Sequence, residues 1–394
     1  MRDMTLVKIL FLSHMFPNQV EPLNSVFVAE KAKALSGYCN IQIIAPVPYF
    51  PLLRRKAPRY KENFEGLDVL HPRYLTLPKK LFFFRWMFYY LQVKKNIESC
   101  LQDVDIINVE WVYPDCYVAV KIASRHGKKV VVTVHGNEAI GYLESAPVRQ
   151  IHARTLRLAD HVIAVSRELK HKLVDAYGIE ASRITVVPNG VDVNKIPAIS
   201  RETAREKLGL QEVEGVICVC IARLSEEKAL NVMLDAFSLC GEAHKLFILG
   251  DGPLKHSLKQ QAADRKIAHR VFFAGPVQHK DVFLWLSAAD FFCLSSKREG
   301  CPVVVHEALA CGIPVISTSV GGVPDIVEDA RYGCLCPIGS AEEFACALKQ
   351  ATSIQWDQAI IAEHGRQFTW ENTARAMVKI FETVSAQPSA ADAS

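Results

Sequence analysis

A chain of 394 residues, half of them apolar, is long enough for roughly two to three domains, each with its own core. Its 46 Lys and Arg against 42 Asp and Glu leave a formal charge of +4, too mild for a nucleic-acid binder. No apolar run approaches the roughly 20 residues of a spanning helix, and the twelve cysteines form no Cys-x-x-Cys pair or His/Cys cluster at zinc spacing.

Short β-branched runs alternate with helical patterns from end to end. The first, "KILFLS" at 8–13, follows an N-terminus with no small-residue cleavage site, so it reads as a strand and not as an export signal. "NIQIIA", "DIINVE", "KVVVTV", "HVIAVS" and "ITVVPN" continue the series to residue 189. "VICVCI", "KLFILG", "RVFFAG", "DFFCLS" and "IPVIST" follow between 216 and 318. Such alternation predicts parallel sheets covered by helices on both faces, and eleven strands exceed one ordinary doubly wound sheet. A break at "DVNKIPAIS", 192–200, gives two α/β domains, 1–195 and 196–370, expected to face each other across a cleft. A terminal helix over about 371–388 is expected to return to the first domain, leaving 389–394 as a loose tail. Cys218, Cys220, Cys293, Cys311 and Cys346 fall at apolar positions and are expected as buried thiols of a reducing cytoplasm.

Chemistry concentrates in the second half. "EGCPVVVHEALACGIPV", 299–315, reads as a loop and then a helix with Pro302 at its first position and Gly312 with Pro314 beyond its end. Glu299 stands before this helix and Glu307 about a turn and a half inside it, with His306 beside it. The unpaired N–H groups from Cys301 through Pro302 and Val303 to Val304, where proline alone has none, make a phosphate site. Ionised carboxylates accept from vicinal hydroxyls, so a ligand with phosphates in its middle and polyols at both ends satisfies every group. Arg223 and Lys228, after "VICVCI", can neutralise a diphosphate, although Glu226 and Glu227 are competing partners. "GDGP" supplies Gly250 and Gly252 at a strand-end turn, and "AGPV" a loop, Gly275 to Val277, able to meet a planar base.

Arg223 with Lys228, "GDGP", "AGPV", Glu299 with Glu307, "ALACGIPVIST" and "GGVPDIV" together resemble family-4 retaining glycosyltransferases of the GT-B fold. That resemblance implies sugar transfer from a UDP- or GDP-linked nucleotide sugar to a hydroxyl of a glycan or polyprenyl-diphosphate-linked acceptor, without cofactor or divalent metal. It places Glu299 on the transferred sugar, Glu307 on the ribose, Arg223 and Lys228 on the diphosphate, Gly250 beside the donor and Val277 on the base. It places residues 301–304 on sugar and phosphate. "VVVTVHGNEAIGY" resembles the family's strand-His-Gly segment, so His135 is implied near the donor sugar, with Asn137 and Glu138 as acceptor-side candidates. The resemblance implies glycines where this chain has Ala222 and Ala229, and glycine in the stretch that Asn24 and Ser25 occupy here. "INVEWVYPDCYVAVKIA" is similar to the branch that builds bacterial surface polysaccharides, such as teichuronic acid synthases. A non-catalytic nucleotide-sugar-binding activator and a nucleotide-sugar epimerase are the competing readings. Finally, "LPKKLFFFRWMFYYLQVKK", 77–95, carries aromatic residues between paired lysines. It reads as either a core helix or a peripheral contact with the inner face of an anionic cytoplasmic membrane.

Overall fold

The computed structural model describes residues 6–50, 56–76, 84–136 and 146–387. Two compact units divide the chain: 1–189 together with 370–394, and 190–369. Residues 190–195 therefore belong to the second unit, not to the first as the composition break suggested.

All eleven expected strands form, and five more join them among the described residues. In the first unit these are β1 (Lys8–Leu12), β2 (Asn40–Ile44), β3 (Val47–Tyr49), β4 (Lys61–Phe64), β5 (Leu67–Leu70), β6 (Arg73–Leu75), β7 (Ile106–Val109), β8 (Lys129–Val134), β9 (His161–Ala164) and β10 (Ile184–Val186). The second unit holds β11 (Val216–Ile221), β12 (His244–Leu249), β13 (Val271–Gly275), β14 (Phe291–Leu294), β15 (Val315–Thr318) and β16 (Gly333–Cys336).

The second sheet runs β13-β12-β11-β14-β15-β16, all parallel. Numbered within the unit, this is the 3-2-1-4-5-6 order of a dinucleotide-binding fold. The first sheet, β4-β5-β2-β1-β7-β8-β9-β10, reverses order between β1 and β7 in the same way. The central strands of both sheets are largely apolar because helices cover both faces: β7 in the first and β14 in the second are buried at every position. The edge strand β4 instead alternates exposed and half-buried residues and pairs antiparallel with β5. Glu65 and Gly66, both at positive φ (48° and 92°), form the two-residue turn between them. β16 was illegible because "GCLC" begins on Gly333, where a Cβ would lie 2.0 Å from the Val315 carbonyl oxygen; only glycine lets the strand reach β15.

The terminal helix spans Trp370–Ser385 and packs on the helix Val26–Ser36. Ala374, Met377 and Phe381 enter the same core as Ile9, Phe11 and Val28. Residue 388 and the expected tail, 389–394, lie outside the described residues. Cys346 is exposed, unlike the buried thiols at Cys218, Cys220 and Cys293; Cys311 is half-buried. Its helix, Ala341–Ser353, turns Phe344, Ala345, Ala347 and Leu348 inward and leaves position 346 on the outer face.

Because Phe381 is fully buried in the core of the first unit, Phe381→Ala should destabilise that unit by about 3–5 kcal/mol. Native-state hydrogen exchange should show the loss in β1, β2 and β7 while β11 to β15 keep their protection.

Candidate active site

In the second unit, the connections from β11 and β14 turn to opposite sides of the sheet, which opens a crevice beyond their carboxyl ends. Arg223 follows β11 and is exposed; Lys228 ends a short turn, Glu226–Lys228. The end of β14 fixes that turn. Ser295 Oγ donates to the carbonyls of Lys228 (3.0 Å) and Ala229 (3.1 Å), and Lys297 N–H donates to the Glu227 carbonyl (2.8 Å).

This backbone clamp delivers Lys228 Nζ to Glu299 Oε1 at 2.6 Å, where Ser296 Oγ also donates at 2.6 Å. Glu299 is only 7% exposed. The competitors named from sequence do not take the cation: Glu227 Oε1 accepts from Ser225 Oγ (2.6 Å) instead. Ala229 adopts φ 46°, ψ 39°, a left-handed conformation that glycine takes without strain. An L-residue there costs on the order of 1–2 kcal/mol, so the turn keeps its geometry at the expense of strain.

The helix after the loop is Val303–Ala310, with Pro302 as its N-cap and not its first helical residue. Pro302 offers no side-chain cap, so the N–H groups of Val303 and Val304 face outward from the helix end without one. Glu307 is 4% exposed and accepts from His279 Nε2 at 2.7 Å. His279 opens the helix His279–Ala288 directly after the loop bearing the half-buried Val277. Glu299 and Glu307 thus each have one oxygen fixed by protein donors.

The glycines act as spacers. A Cβ on Gly250 would lie 2.0 Å from the Ala222 carbonyl oxygen, and one on Gly252 2.4 Å from that of Leu224. Both therefore press against the segment carrying Arg223. Gly321 does the same for Glu299, whose carbonyl oxygen would lie 2.4 Å from its Cβ. His306 points into the core, against the Phe368 ring at 4.8 Å, with its Nε2 3.2 Å from Cys301 Sγ. Burial, and then the charge of His364, push its pKa down to about 3.

In the first unit, His135 follows β8 and its Nε2 lies 2.9 Å from Glu110 Oε2. Lys31 Nζ reaches the same oxygen at 2.7 Å, and Asn108 Nδ2 donates to Oε1 at 2.9 Å. Burial alone would push the Glu110 carboxyl up, but Lys31 and the His135 hydrogen bond outweigh it and hold it down at about 2. Burial, then Lys31, push His135 down to about 4 against the pull of Glu110. Near neutral pH the imidazole is uncharged, and its Nε2 carries the proton donated to the carboxylate. Ser25 caps the helix Val26–Ser36 in a left-handed conformation, φ 52°, with Oγ donating to Asn24 Oδ1 at 3.3 Å. Asn137 and Glu138 lie outside the described residues.

Sequence reasoning missed Ser296, His279, Glu110 and Lys31. "HKD" at a helix start after a strand-end loop was a signal for His279; Lys31, inside an ordinary amphipathic helix, had none. The chain contains one Asp-x-Asp, Asp103-Val104-Asp105. It precedes β7 at the sheet's amino edge, where Asp105 Oδ2 accepts from Lys8 N–H at 2.8 Å.

The profile described as Glycosyltransferase Family 4 matches residues 25–195, and that described as Glycosyl transferases group 1 matches residues 200–368. The chain belongs to the family-4 glycosyltransferases. This glycosyltransferase is 26% identical to TuaC of Bacillus subtilis (strain 168), a glycosyltransferase assigned to teichuronic acid biosynthesis, over 96% of this chain and 99% of that one. Its GT-B plan of two Rossmann-like domains is shared with sucrose-phosphate synthase from Thermosynechococcus elongatus (TM-score 0.80, 18% identity, 96% and 99% of the two chains). It is also shared with HepE of Anabaena, solved with UDP (TM-score 0.75, 20% identity, 96% and 100%).

The His306 environment sets an acid limit. Its folded pKa of about 3 lies below the ordinary value of 6.5, so beneath pH 6.5 the unfolded chain binds a proton that the folded chain refuses. Stability should fall as pH drops from about 6.5 towards about 3, by up to about 1.4 kcal/mol per unit from this residue. Urea midpoints measured across that range should decline less steeply in His306→Leu; equal slopes would remove His306 as the responsible group.

Proposed function

We propose that this glycosyltransferase moves a sugar from a UDP- or GDP-linked donor to a hydroxyl of a glycan or lipid-linked acceptor in surface polysaccharide synthesis. Transfer would proceed with retention and without a divalent metal. The observation carrying this reading is the buried Glu299, held by Lys228 and Ser296 beside the uncapped start of Val303–Ala310 at the strand-order reversal.

Cations and helix N–H groups that converge at a strand-end crevice suit a departing diphosphate. Arg223, Lys228 and the N–H groups of Val303 and Val304 would offset its charge, so the protein itself supplies the electrophilic assistance. Glu299 would orient the transferred sugar and Glu307 the ribose, each through the oxygen its protein partner leaves over. Glu299 would not act as a covalent nucleophile; the leaving diphosphate would take the acceptor proton on the same face. The neutral imidazole of His135 suits contact with a sugar hydroxyl. The UDP and UDP-glucose complexes of HepE support a nucleotide-sugar donor, and the assignment of TuaC supports a surface polysaccharide product.

A thermal-shift screen against UDP- and GDP-sugars should reveal the donor through a raised melting temperature. Glu307→Gln should then weaken donor binding, and Glu299→Gln should chiefly lower turnover, each by about 1.5–3 kcal/mol. Arg223→Ala, at an exposed position, should depress transfer and diphosphate binding without changing stability. Activity should survive chelator. Wild-type kinetics in both glutamate variants, or metal-reversible loss in chelator, would contradict the mechanism.

The lipid-linked acceptor finds support in the helix Arg85–Cys100. It buries Tyr89, Val93, Ile97 and Cys100 on one face, yet leaves Met87 and Leu91 38% and 66% exposed, with Phe84 before them at 50%. Residues 77–83 of the aromatic segment lie outside the described residues. Trp86 is not the outward anchor, because Lys121 lies over its ring (5.1 Å) and Tyr117 packs against it. No helix among the described residues is long and apolar enough to cross a membrane, whereas an apolar stripe continuing to Lys94 and Lys95 suits the surface of an anionic one. Liposomes rich in anionic lipid should co-sediment the native chain at low salt and release Met87→Ser/Leu91→Ser/Lys95→Glu. Equal sedimentation of the folded variant would remove the membrane contact and leave the donor reading intact.

A further inference from the structure

The first unit has its own strand-order reversal, between β1 and β7. Beyond β1 come Ser13 and His14; beyond β7 come Glu110 to Asp115. Asp115, with no solvent exposure, accepts from the His14 backbone N–H (3.0 Å) and the Tyr89 hydroxyl (2.5 Å) through Oδ1. Its Oδ2 pairs with His14 Nδ1. Burial, then the Asp115 charge, push the Tyr89 pKa well up, which keeps that hydroxyl protonated as a donor.

A carboxylate only accepts, so the pairing places a proton on Nδ1, and in that tautomer Nε2 presents a lone pair. That nitrogen has no hydrogen-bond partner among the described residues, and the side chain is 11% exposed. The ring stands edge-on to Trp111 (6.1 Å), whose Nε1–H is held by Ser13 Oγ at 2.9 Å. The surrounding cations are engaged: Lys31 by Glu110, and Arg85 by the Tyr74 hydroxyl. An O–H donor therefore has a fixed acceptor there.

We infer that His14 Nε2, aimed by the buried Asp115 at the strand-order reversal of the first unit, accepts the hydrogen bond of a hydroxyl on the glycosyl acceptor. This rests on the transferase reading above and adds a binding group for its second substrate. Asp115 is a positioning residue. A tie that served only to hold β1 to the segment after β7 would be met by the backbone N–H bond alone and would not need the ring pairing.

The test uses the full chain with nitrogen-15-labelled histidines, His14→Phe serving to assign the ring resonances. We expect Nδ1 protonated and Nε2 bare, with the preference lost in Asp115→Asn. With UDP or GDP bound, the methyl glycosides of glucose, mannose and N-acetylglucosamine serve as hydroxyl probes, and at least one should shift the His14 Nε2 resonance. The probe that does so should show an acceptor KM at least about tenfold higher in His14→Phe, with donor KM unchanged. A protonated Nε2, or no shift from any probe with nucleotide bound, overturns the inference. Should Asp115→Asn fail to fold, His14→Phe and the native spectrum still decide it. A native chain whose melting temperature no nucleotide raises would instead sink the donor reading, and the glycosides would then be judged on the nucleotide-free chain by the same criterion.

Discussion

The contact between Lys228 and Glu299, 71 residues apart, is the constraint on which the crevice of the second unit depends. Both side chains are largely withdrawn from water, at 20% and 6% exposure, so neither can be left alone without a substantial desolvation penalty. Their meeting requires β11 and β14 to be neighbours, which in turn requires the intervening β12 and β13 to lie on the far side of β11. The order reversal that satisfies this also leaves the crevice open. Ser295, Ser296 and Lys297 then turn the end of β14 into a bracket for the Lys228 turn. Architecture and electrostatics are thus one arrangement seen at two scales.

The first unit repeats the logic with different chemistry. At its reversal two histidines flank Trp111, each bonded to a buried carboxylate: His14 to Asp115 and His135 to Glu110. In the second unit the protein donors hold one oxygen of each carboxylate; in the first the carboxylates fix imidazoles. The second sheet edge thus presents cations and helix N–H groups, and the first presents imidazoles oriented by carboxylates. The difference follows from what each carboxylate is bonded to, not from the strand order, which reverses in both sheets.

Backbone conformation sets two further local constraints. Ser25 and Ala229 are both non-glycine residues held at positive φ. Each turn keeps its shape at a conformational cost that a glycine would not carry.

The alternation of buried strands and helical segments determined the α/β class, all eleven expected strands and the return of a terminal helix, because burial on both faces writes a continuous apolar run. It also exposed Glu299, Glu307, Arg223 and Lys228, since charged residues at strand ends and helix starts break that pattern visibly. Edge and glycine-led strands such as β4 and β16 escaped because their pairing depends on neighbours, not on their own composition. Only the tertiary structure decided who pairs with whom. Lys228 chose Glu299 over the adjacent Glu227, Glu307 was joined to His279, and His306 beside it turned into the core. It alone revealed Lys31, Glu110, His14 and Asp115 as partners, because hydrogen bonds across 79 to 101 residues leave no local periodicity in the chain.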